Sequence, residues 1–315
     1  FFAPEDFWMK ENNPVSVTYM RNDIYNEDAF LISYDLGLGT INLKTEEFTN
    51  ICGSDRSNPA YKEGVGGSAR FGSIRSFAQH NKTTVIVIDT TNHCIRTINK
   101  NDHRSAKLAG QCRFEAFTSQ PILDGSFEDA VFNAPHDIAR GTNPNEYYIL
   151  DSGKRALRKI DLVAREVSTV YRAAQEIPTE FHSPKTMILS NNLFYISTTG
   201  GIVAFDINSG QMEEIHKGAI GLADGKLKSE AKFQSPKSIQ LLDNSTLLVL
   251  ETWMKDQETF IRLLDLEKEE VKSLNITEPV PKAERRADIE CLFVDQDKHR
   301  IYIGGMTGVS VMECK

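Results

Sequence analysis

The 315-residue sequence lacks the short motifs that mark the commoner catalytic and metal sites. It contains no CxxC or HExxH pair, and its seven histidines are scattered, which excludes the usual zinc-binding spacings. It also lacks GxSxG, a P-loop and a glycine-rich dinucleotide turn. We therefore expect no cofactor and no resident metal.

Long apolar runs and an excess of positive charge are missing as well. No stretch of about 20 apolar residues occurs, so we expect no membrane span within this chain. Lysine and arginine number 36 against 44 acidic residues, with a net charge of −8. Because nucleic-acid binding depends on neutralising phosphates with cations, this balance predicts no nucleic-acid partner.

What the sequence does contain is a repeat. The segment Val131–Tyr171 recurs in altered form along the whole chain, at spacings of about 49 to 61 residues. Six copies fit, aligned on the step into their first apolar run: Pro14-Val15, Ile74-Arg75, Pro135-His136, Pro184-Lys185, Pro236-Lys237 and Ile289-Glu290.

Each copy holds up to four short apolar runs divided by Gly, Asn, Asp or Ser turns, which predicts strands. Four strands per copy make a propeller blade, which buries both faces only by packing between two neighbours. The expected fold is a single all-β domain over residues 1–315, a six-bladed β-propeller. The blades span approximately 14–52, 74–112, 135–171, 184–217, 236–274 and 289–315 plus 1–10.

Closure of the ring involves the two chain termini. The last copy stops one strand short, whereas Phe7-Trp8-Met9 precedes the first copy. We predict that the N-terminal segment, residues 1–10, supplies the outer strand of the last blade. The alternative is a frayed apolar tail.

The connectors between copies are distinctive: GVGGSARFGSIRS (64–76), DGSFEDAVFNAPHDIA (124–139) and ADGKLKSEAKFQSPKSI (223–239), together with DTTNHCIRTIN (89–99). They resemble the linkers of NHL-repeat propellers. The resemblance covers nearly all of the chain, but it is weak in the fourth copy and poor in the first and sixth. It implies a six-bladed propeller and no particular activity, since that fold hosts both enzymes and binding modules.

The start of each first strand is expected to point into the upper mouth of the central channel. Across the six copies this position is occupied by Val15, Arg75, His136, Lys185, Lys237 and Glu290. One interpretation is a basic mouth that favours an anionic ligand or an acidic partner. The alternative is a neutralised ring in which the carboxylates that end the second strands, Asp89, Asp151 and Glu251, pair with these cations.

An enzyme is the alternative class. Peptide-amidating lyases of the NHL fold use zinc-binding histidines, and only His136 in its Pro-His pair resembles that set; a strictosidine-synthase-like hydrolase is the related possibility. A lone imidazole does not hold catalytic zinc. We expect instead a non-enzymatic module for protein–protein interaction. Trp253, predicted in a loop after the second strand of the fifth copy, is a candidate contact residue or a filler between blades.

Sequons and cysteines indicate a secreted or cell-surface glycoprotein. Sequons occur at Asn81, Asn244 and Asn275, the first two in corresponding turns. Cys94 opens the third strand of the second copy and Cys112 follows its fourth, so antiparallel pairing predicts a disulfide between them. The alternative is two free thiols. The partners of Cys52, Cys291 and Cys314 stay open.

Overall fold

In the computed structural model, the described residues are 2–5, 17–34, 36–45, 47–54, 59–113, 121–173, 183–216, 220–253, 258–274, 289–295, 300–305 and 308–314. They divide into two compact units, an N-terminal unit (Lys10–Arg172) and a C-terminal unit (Phe1–Met9 with Ala173–Lys315). Among these residues, no helix is long and apolar enough to cross a membrane.

The chain begins with strand β1 (Phe2–Glu5), which belongs to the C-terminal unit. The N-terminal unit then forms three antiparallel sheets. The first contains β2 (Val17–Asp23), β3 (Asn26–Tyr34), β4 (Leu36–Asn42) and β5 (Phe48–Ser54). The second contains β6 (Gly64–Val65), β7 (Ile74–Gln79), β8 (Thr84–Asp89), β9 (Cys94–Asn99) and β10 (Arg104–Ala109). The third contains β11 (Gly125–Ser126), β12 (Pro135–Arg140), β13 (Glu146–Asp151), β14 (Ala156–Asp161) and β15 (Glu166–Arg172).

The C-terminal unit also forms three antiparallel sheets. The fourth sheet contains β16 (Met187–Ser190), β17 (Leu193–Thr198), β18 (Gly201–Asp206) and β19 (Met212–Glu214). The fifth contains β20 (Gly225–Lys226), β21 (Pro236–Leu241), β22 (Thr246–Trp253), β23 (Glu258–Asp265) and β24 (Glu270–Ser273). The sixth contains β25 (Ile289–Asp295), β26 (Arg300–Gly305) and β27 (Gly308–Cys314) together with β1. Two single-turn 3-10 helices, Gly66–Ser68 and Ser152–Lys154, lie in the N-terminal unit.

The second strand of each sheet is a continuous apolar run because it is covered on both faces. In β8, the residues from Val85 to Asp89 are all buried. One core cluster joins residues of the first and second sheets, among them Leu31 and Phe77, and another joins the fourth and fifth, among them Ala204 and Val249. Packing between adjacent sheets within a unit therefore supplies the apolar core, as a propeller requires.

Three sheets contain a strand beyond the four that their copies supply. A two-residue strand from the preceding connector, β6, β11 or β20, pairs with the last strand of the second, third and fifth sheets. These strands belong to the connectors in which the sequence shows its clearest repeat. The connectors are therefore part of the sheets rather than free linkers.

The N-terminal segment does complete the last sheet. Strand β1 pairs antiparallel with β27, with Phe2 opposite Cys314 and Glu5 opposite Val311. The described strand, Phe2–Glu5, lies within the predicted segment 1–10. Phe7-Trp8-Met9 lie outside the described residues. The prediction that the two ends of the chain join in one sheet is confirmed.

A buried arginine and a buried carboxylate recur in the three five-stranded sheets. The pairs are Arg96–Asp89, Arg158–Asp151 and Arg262–Glu251, with N–O distances of 3.0, 3.1 and 3.0 Å and no solvent exposure of either side chain. Each guanidinium also lies over a phenylalanine ring, and two of them form a second ion pair, with Asp124 and Asp224 respectively.

The terminal nitrogens of each guanidinium also donate hydrogen bonds to the preceding connector. Arg96 donates to the carbonyl oxygens of Arg70 and Lys62, at 2.6 and 2.8 Å. These two residues face each other across an isolated β-bridge. The arginine therefore holds both sides of the connector hairpin at once.

The sequence alignment of the first copy is wrong by three residues. In four other sheets the aligned residue, such as Arg75 or His136, is the extra residue of a β-bulge in the first strand. The bulge in β2 is at Thr18, between the pairs Val17–Tyr34 and Tyr19–Ser33. Val15 lies outside the described residues. A proline precedes it as in three other copies, but that proline does not mark the bulge, which comes three residues after Val15.

The Cys94–Cys112 disulfide is present, with a Cα–Cα distance of 5.0 Å. Antiparallel pairing of β9 with β10 brings the start of one strand beside the end of the other. Cys52 is free, Cys52 and Cys291 are both buried, and burial raises the pKa of the Cys52 thiol to about 11.

We predict that Asp89→Ala lowers the free energy of unfolding by about 3–5 kcal/mol, because it leaves the buried Arg96 without its carboxylate. Urea denaturation of the full chain measures this. Adding Arg96→Met should restore part of the loss. The control is Lys44→Ala, which removes an exposed ion pair with Asp28 and should not shift the midpoint. Equal effects of the two single substitutions would contradict the structural role of the buried pair.

We predict that Cys112→Ser lowers the free energy of unfolding by about 3 kcal/mol, because the disulfide closes a loop between residues 18 positions apart. Urea denaturation with and without reductant tests this, and reductant should destabilise only the parent chain. Alkylation of all five cysteines in the non-reduced parent chain would show that the bond does not form.

Candidate functional site

Four of the six residues predicted at the mouth share one backbone position. Arg75, His136, Lys237 and Glu290 are each the unpaired residue of a β-bulge, between paired positions such as Ile74–Asp89 and Ser76–Ile88. A bulge bends its strand and redirects the side chain of the extra residue. The sequence register therefore identified a real structural position, although the bulge itself leaves no signal in a single sequence.

In the C-terminal unit, three of these side chains come together. The Lys237 ammonium lies 3.7 Å from a carboxylate oxygen of Glu290. Lys185, from the segment before β16, donates a hydrogen bond from Nζ to Ser235 Oγ at 3.1 Å. Two cations and one carboxylate from three successive sheets thus form a cluster, which we call the lysine cluster (Lys185, Lys237, Glu290 and Ser235).

Burial lowers the pKa of the Lys185 amine. The nearby positive charge of Lys237 lowers it further, whereas Glu290 raises it. The charge of Lys237 therefore acts on Lys185 more strongly than the charge of Glu290 does. An anionic group entering this cluster would be stabilised by both ammonium groups.

The lysine cluster is connected to the buried ion pair of the fifth sheet. Glu251 accepts a hydrogen bond from the Ser235 amide at 3.2 Å, and its other oxygen pairs with Arg262. Ser235 in turn accepts from Lys185. The core of the sheet therefore fixes the hydroxyl that orients this lysine.

The interpretation that Asp89, Asp151 and Glu251 neutralise the mouth is wrong. All three are buried and pair with the arginines of their own sheets. Burial raises the pKa of Asp151 to about 7 against the opposing effect of Arg158, so these carboxylates carry a high desolvation cost and serve the interior. Lys237 is paired instead with Glu290, from the next sheet.

In the N-terminal unit, Arg75 is exposed and His136 is half-buried. The residues that follow the bulges, Tyr19, Ser76 and Asp137, are buried. The Ser76 hydroxyl donates to Asp137, which also accepts from the Ile138 amide at 2.9 Å.

The Tyr19 hydroxyl belongs to the same buried polar group. It accepts a hydrogen bond from Arg21 at 2.6 Å, and burial raises its pKa to about 12 despite the charge of Arg21. The Asp137 carboxylate raises the pKa further. At neutral pH this phenol therefore stays protonated.

The described residues contain no group of three or more His, Cys, Asp or Glu side chains that could hold a metal ion. Other histidines have structural contacts: His93 Nδ1 accepts a hydrogen bond from the Ala134 amide, and His216 Nε2 lies 2.9 Å from the Ala231 carbonyl oxygen. Among the described residues, His136 belongs to no group of three or more such side chains.

Trp253 does not lie in a loop. It is the last residue of β22 and pairs with Glu258 of β23. The β22–β23 hairpin has more paired residues than the corresponding hairpins of the other sheets, so Trp253 lies in a strand. The loop residues that follow it, 254–257, are outside the described residues. As a contact residue Trp253 stays a prediction.

Two of the three sequons lie in described turns. Asn81 and Asn244 each occupy the turn between the first two strands of a sheet, and Asn244 is exposed. Asn81 Oδ1 accepts hydrogen bonds from the Thr83 hydroxyl and from two backbone amides. Asn275 lies outside the described residues.

Solved structures with a similar fold include two binding proteins and one enzyme. An auxiliary nutrient binding protein from Bacteroides ovatus has a TM-score of 0.67 at 10% identity, over 99% of this chain and 76% of that one. A counterpart from Bacteroides thetaiotaomicron has a TM-score of 0.66 at 11% identity, over 94% of this chain and 68% of that one. A streptogramin B lyase has a TM-score of 0.59 at 10% identity, over 100% of this chain and 98% of that one.

No protein-family profile matches the chain. A curated relative, the chloroplast protein SUPPRESSOR OF QUENCHING 1 of Arabidopsis thaliana, is 47% identical over 47 residues, which is 15% of this chain and 4% of that protein. So short a match shows no shared family. The sheets and their structural relatives do show the class of protein, an all-β propeller, and that expectation is confirmed.

We predict that Lys185 titrates below an ordinary lysine because of burial and the charge of Lys237. The measurement is the pH dependence of amine acylation, followed by peptide mass spectrometry. Lys237→Met should raise the labelling midpoint of Lys185, and Glu290→Gln should lower it. Lys44, whose pKa Asp28 raises, is the internal control. A Lys185 midpoint that neither variant moves would contradict the coupling.

Proposed function

We propose that this chain is an extracellular, non-enzymatic propeller module that binds an acidic segment of a partner protein. The observation that carries this proposal is the lysine cluster, in which the ammonium groups of Lys185 and Lys237 lie near the Glu290 carboxylate, and in which Lys237 and Glu290 extend from β-bulges. The pairing of Asp89, Asp151 and Glu251 inside their own sheets removes the neutralisation that the sequence suggested.

We further propose that the six sheets close into a six-bladed ring of the NHL-repeat type. The pairing of β1 with β27 supports this, because joining the first and last segments in one sheet is how a ring of repeats avoids an open end. Arg75 and His136 occupy, in the N-terminal unit, the same bulge position that Lys237 and Glu290 occupy in the C-terminal unit.

Secretion is supported by the disulfide and by the sequons. Disulfides form and persist in oxidising compartments, and Cys94–Cys112 is formed. Asn244 is exposed in its turn, where a glycan meets solvent. The similar folds of nutrient binding proteins support a binding role in general terms.

We predict that the chain binds a fluorescent oligo-glutamate peptide more tightly than its oligo-glutamine counterpart, and that added salt weakens this binding. Lys185→Glu with Lys237→Glu should weaken it by about tenfold or more. The matched control, Lys226→Glu with Lys272→Glu, reverses two exposed charges elsewhere in the fifth sheet. Fluorescence anisotropy gives the dissociation constants.

Equal affinity for both peptides, or equal losses in the two double variants, would reject the lysine cluster as the site. Affinity capture with the parent chain and with the cluster variant as baits then identifies the partner. A partner retained equally by both baits would show that it binds elsewhere.

The similar fold of streptogramin B lyase keeps an enzyme as the second candidate. In an amidating-lyase-like or strictosidine-synthase-like enzyme, His136 would belong to the catalytic centre. Metal content of the purified chain distinguishes the two functions: stoichiometric zinc that His136→Ala removes would favour the enzyme.

A further inference from the structure

A cavity of about 380 Å³ opens in the C-terminal unit between the fourth sheet and the fifth. It is lined by strands β17, β18 and β19 on one side and by residues around β20 and the β23–β24 turn on the other. No residue of the lysine cluster lines it. Its volume lies in the range of small-molecule sites, about 300–1,000 Å³.

The floor of this cavity is apolar. Tyr195, Ala204 and Leu227 are buried members of the core cluster shared by the two sheets, and Leu193 and Leu266 are partly buried against it. The core of this unit is therefore accessible from the cavity. A ligand with an apolar body would gain free energy by covering this surface.

Tyr195 supplies a polar group at this floor. It is 8% exposed, its hydroxyl makes no hydrogen bond among the described residues, and the oxygen is not one of the fully buried atoms that lack a partner, so it is accessible from the cavity. Burial raises its pKa, so the phenol stays neutral. A phenol hydroxyl both donates and accepts hydrogen bonds, so this accessible group is suited to a polar group of a ligand in the cavity.

The rim of the cavity is acidic. Asp206, Glu213 and Glu269 line it, with Lys228 as the cation. Lys228 is held by Glu269, their charged atoms 2.5 Å apart. Asp206 is oriented by the amides of the turn that follows β18, and Glu213 is exposed on β19. Carboxylates therefore outnumber cations, and the rim favours a positively charged ligand.

We propose that this cavity, the tyrosine groove, binds a small organic cation with an apolar body, such as an arylalkyl or alkyl amine. The apolar body covers Ala204, Leu227 and Leu266. The ammonium lies toward Glu213 and Asp206 and hydrogen-bonds to the Tyr195 hydroxyl. The groove is a second site with the charge preference opposite to that of the lysine cluster.

Isothermal titration calorimetry of the full chain with 4-phenylbutylamine tests this proposal, with 4-phenylbutanoate as the charge-reversed probe. The amine should bind at one site and the carboxylate should not bind measurably. Tyr195→Phe and Glu213→Gln should each weaken amine binding by about threefold to tenfold. Glu128→Gln, an exposed carboxylate of the N-terminal unit, is the matched control and should change nothing.

Tyr195→Phe is the sharpest variant because it removes only the hydroxyl. If the hydroxyl contacts only the ligand, the variant has a free energy of unfolding in urea at least as high as that of the parent chain, and it binds the amine less tightly. Ala204→Phe fills the cavity and should abolish amine binding. If Ala204→Phe does not fold, the weaker amine binding of Glu213→Gln tests the same site. Equal binding of both probes, or amine binding that neither Tyr195→Phe nor Glu213→Gln weakens, would overturn the proposal.

Discussion

A guanidinium group is costly to remove from water, and the three five-stranded sheets of this chain each bury one completely. In each sheet a carboxylate, an aromatic ring and the carbonyl oxygens of the connector hairpin compensate that cost. The three sheets with this arrangement are those with an extra two-residue strand from the connector. The buried arginine thus adds side-chain hydrogen bonds that join the connector hairpin to the blade, beside the backbone pairing of the hairpin itself.

The same carboxylates determine where the candidate binding residues lie. The second oxygen of Asp89 accepts the Gly72 amide, and that of Glu251 accepts the Ser235 amide. These amides come just before the bulges that carry Arg75 and Lys237. One buried group therefore anchors the core arginine on one side and the entrance to the bulge on the other. The position of an exposed cation is set by an interaction that solvent never reaches.

The spacing of residues in the sequence was sufficient to predict the repeat and the strands of the copies in which the repeat is clearest. It also predicted the pairing of the two ends of the chain and the Cys94–Cys112 bond. It was insufficient for the buried pairs because they follow register rather than distance along the chain. The arginine is two residues beyond the partner of the carboxylate in each case: Asp89 faces Cys94, Asp151 faces Ala156 and Glu251 faces Phe260. The longer hairpin around Trp253 changes the spacing and conceals the third pair. The bulge at Thr18 is likewise defined by the pairing of β2 with β3, and the proline before Val15 does not indicate that pairing.

In the fourth sheet, uncharged residues occupy the positions of the buried arginine and carboxylate. Thr198 faces Gly201 at the corresponding register, and Val203 occupies the position that arginine holds elsewhere. Its last strand, β19, has three residues, of which two are glutamates. An edge strand presents unpaired backbone groups to other chains, and a short acidic edge discourages such pairing. Glu213 thereby has two effects: it protects the edge of the sheet, and it gives the tyrosine groove the negative rim that an apolar cavity needs to select a cation. Edge protection and ligand selection are thus properties of one carboxylate, and its replacement by glutamine removes the charge on which both depend.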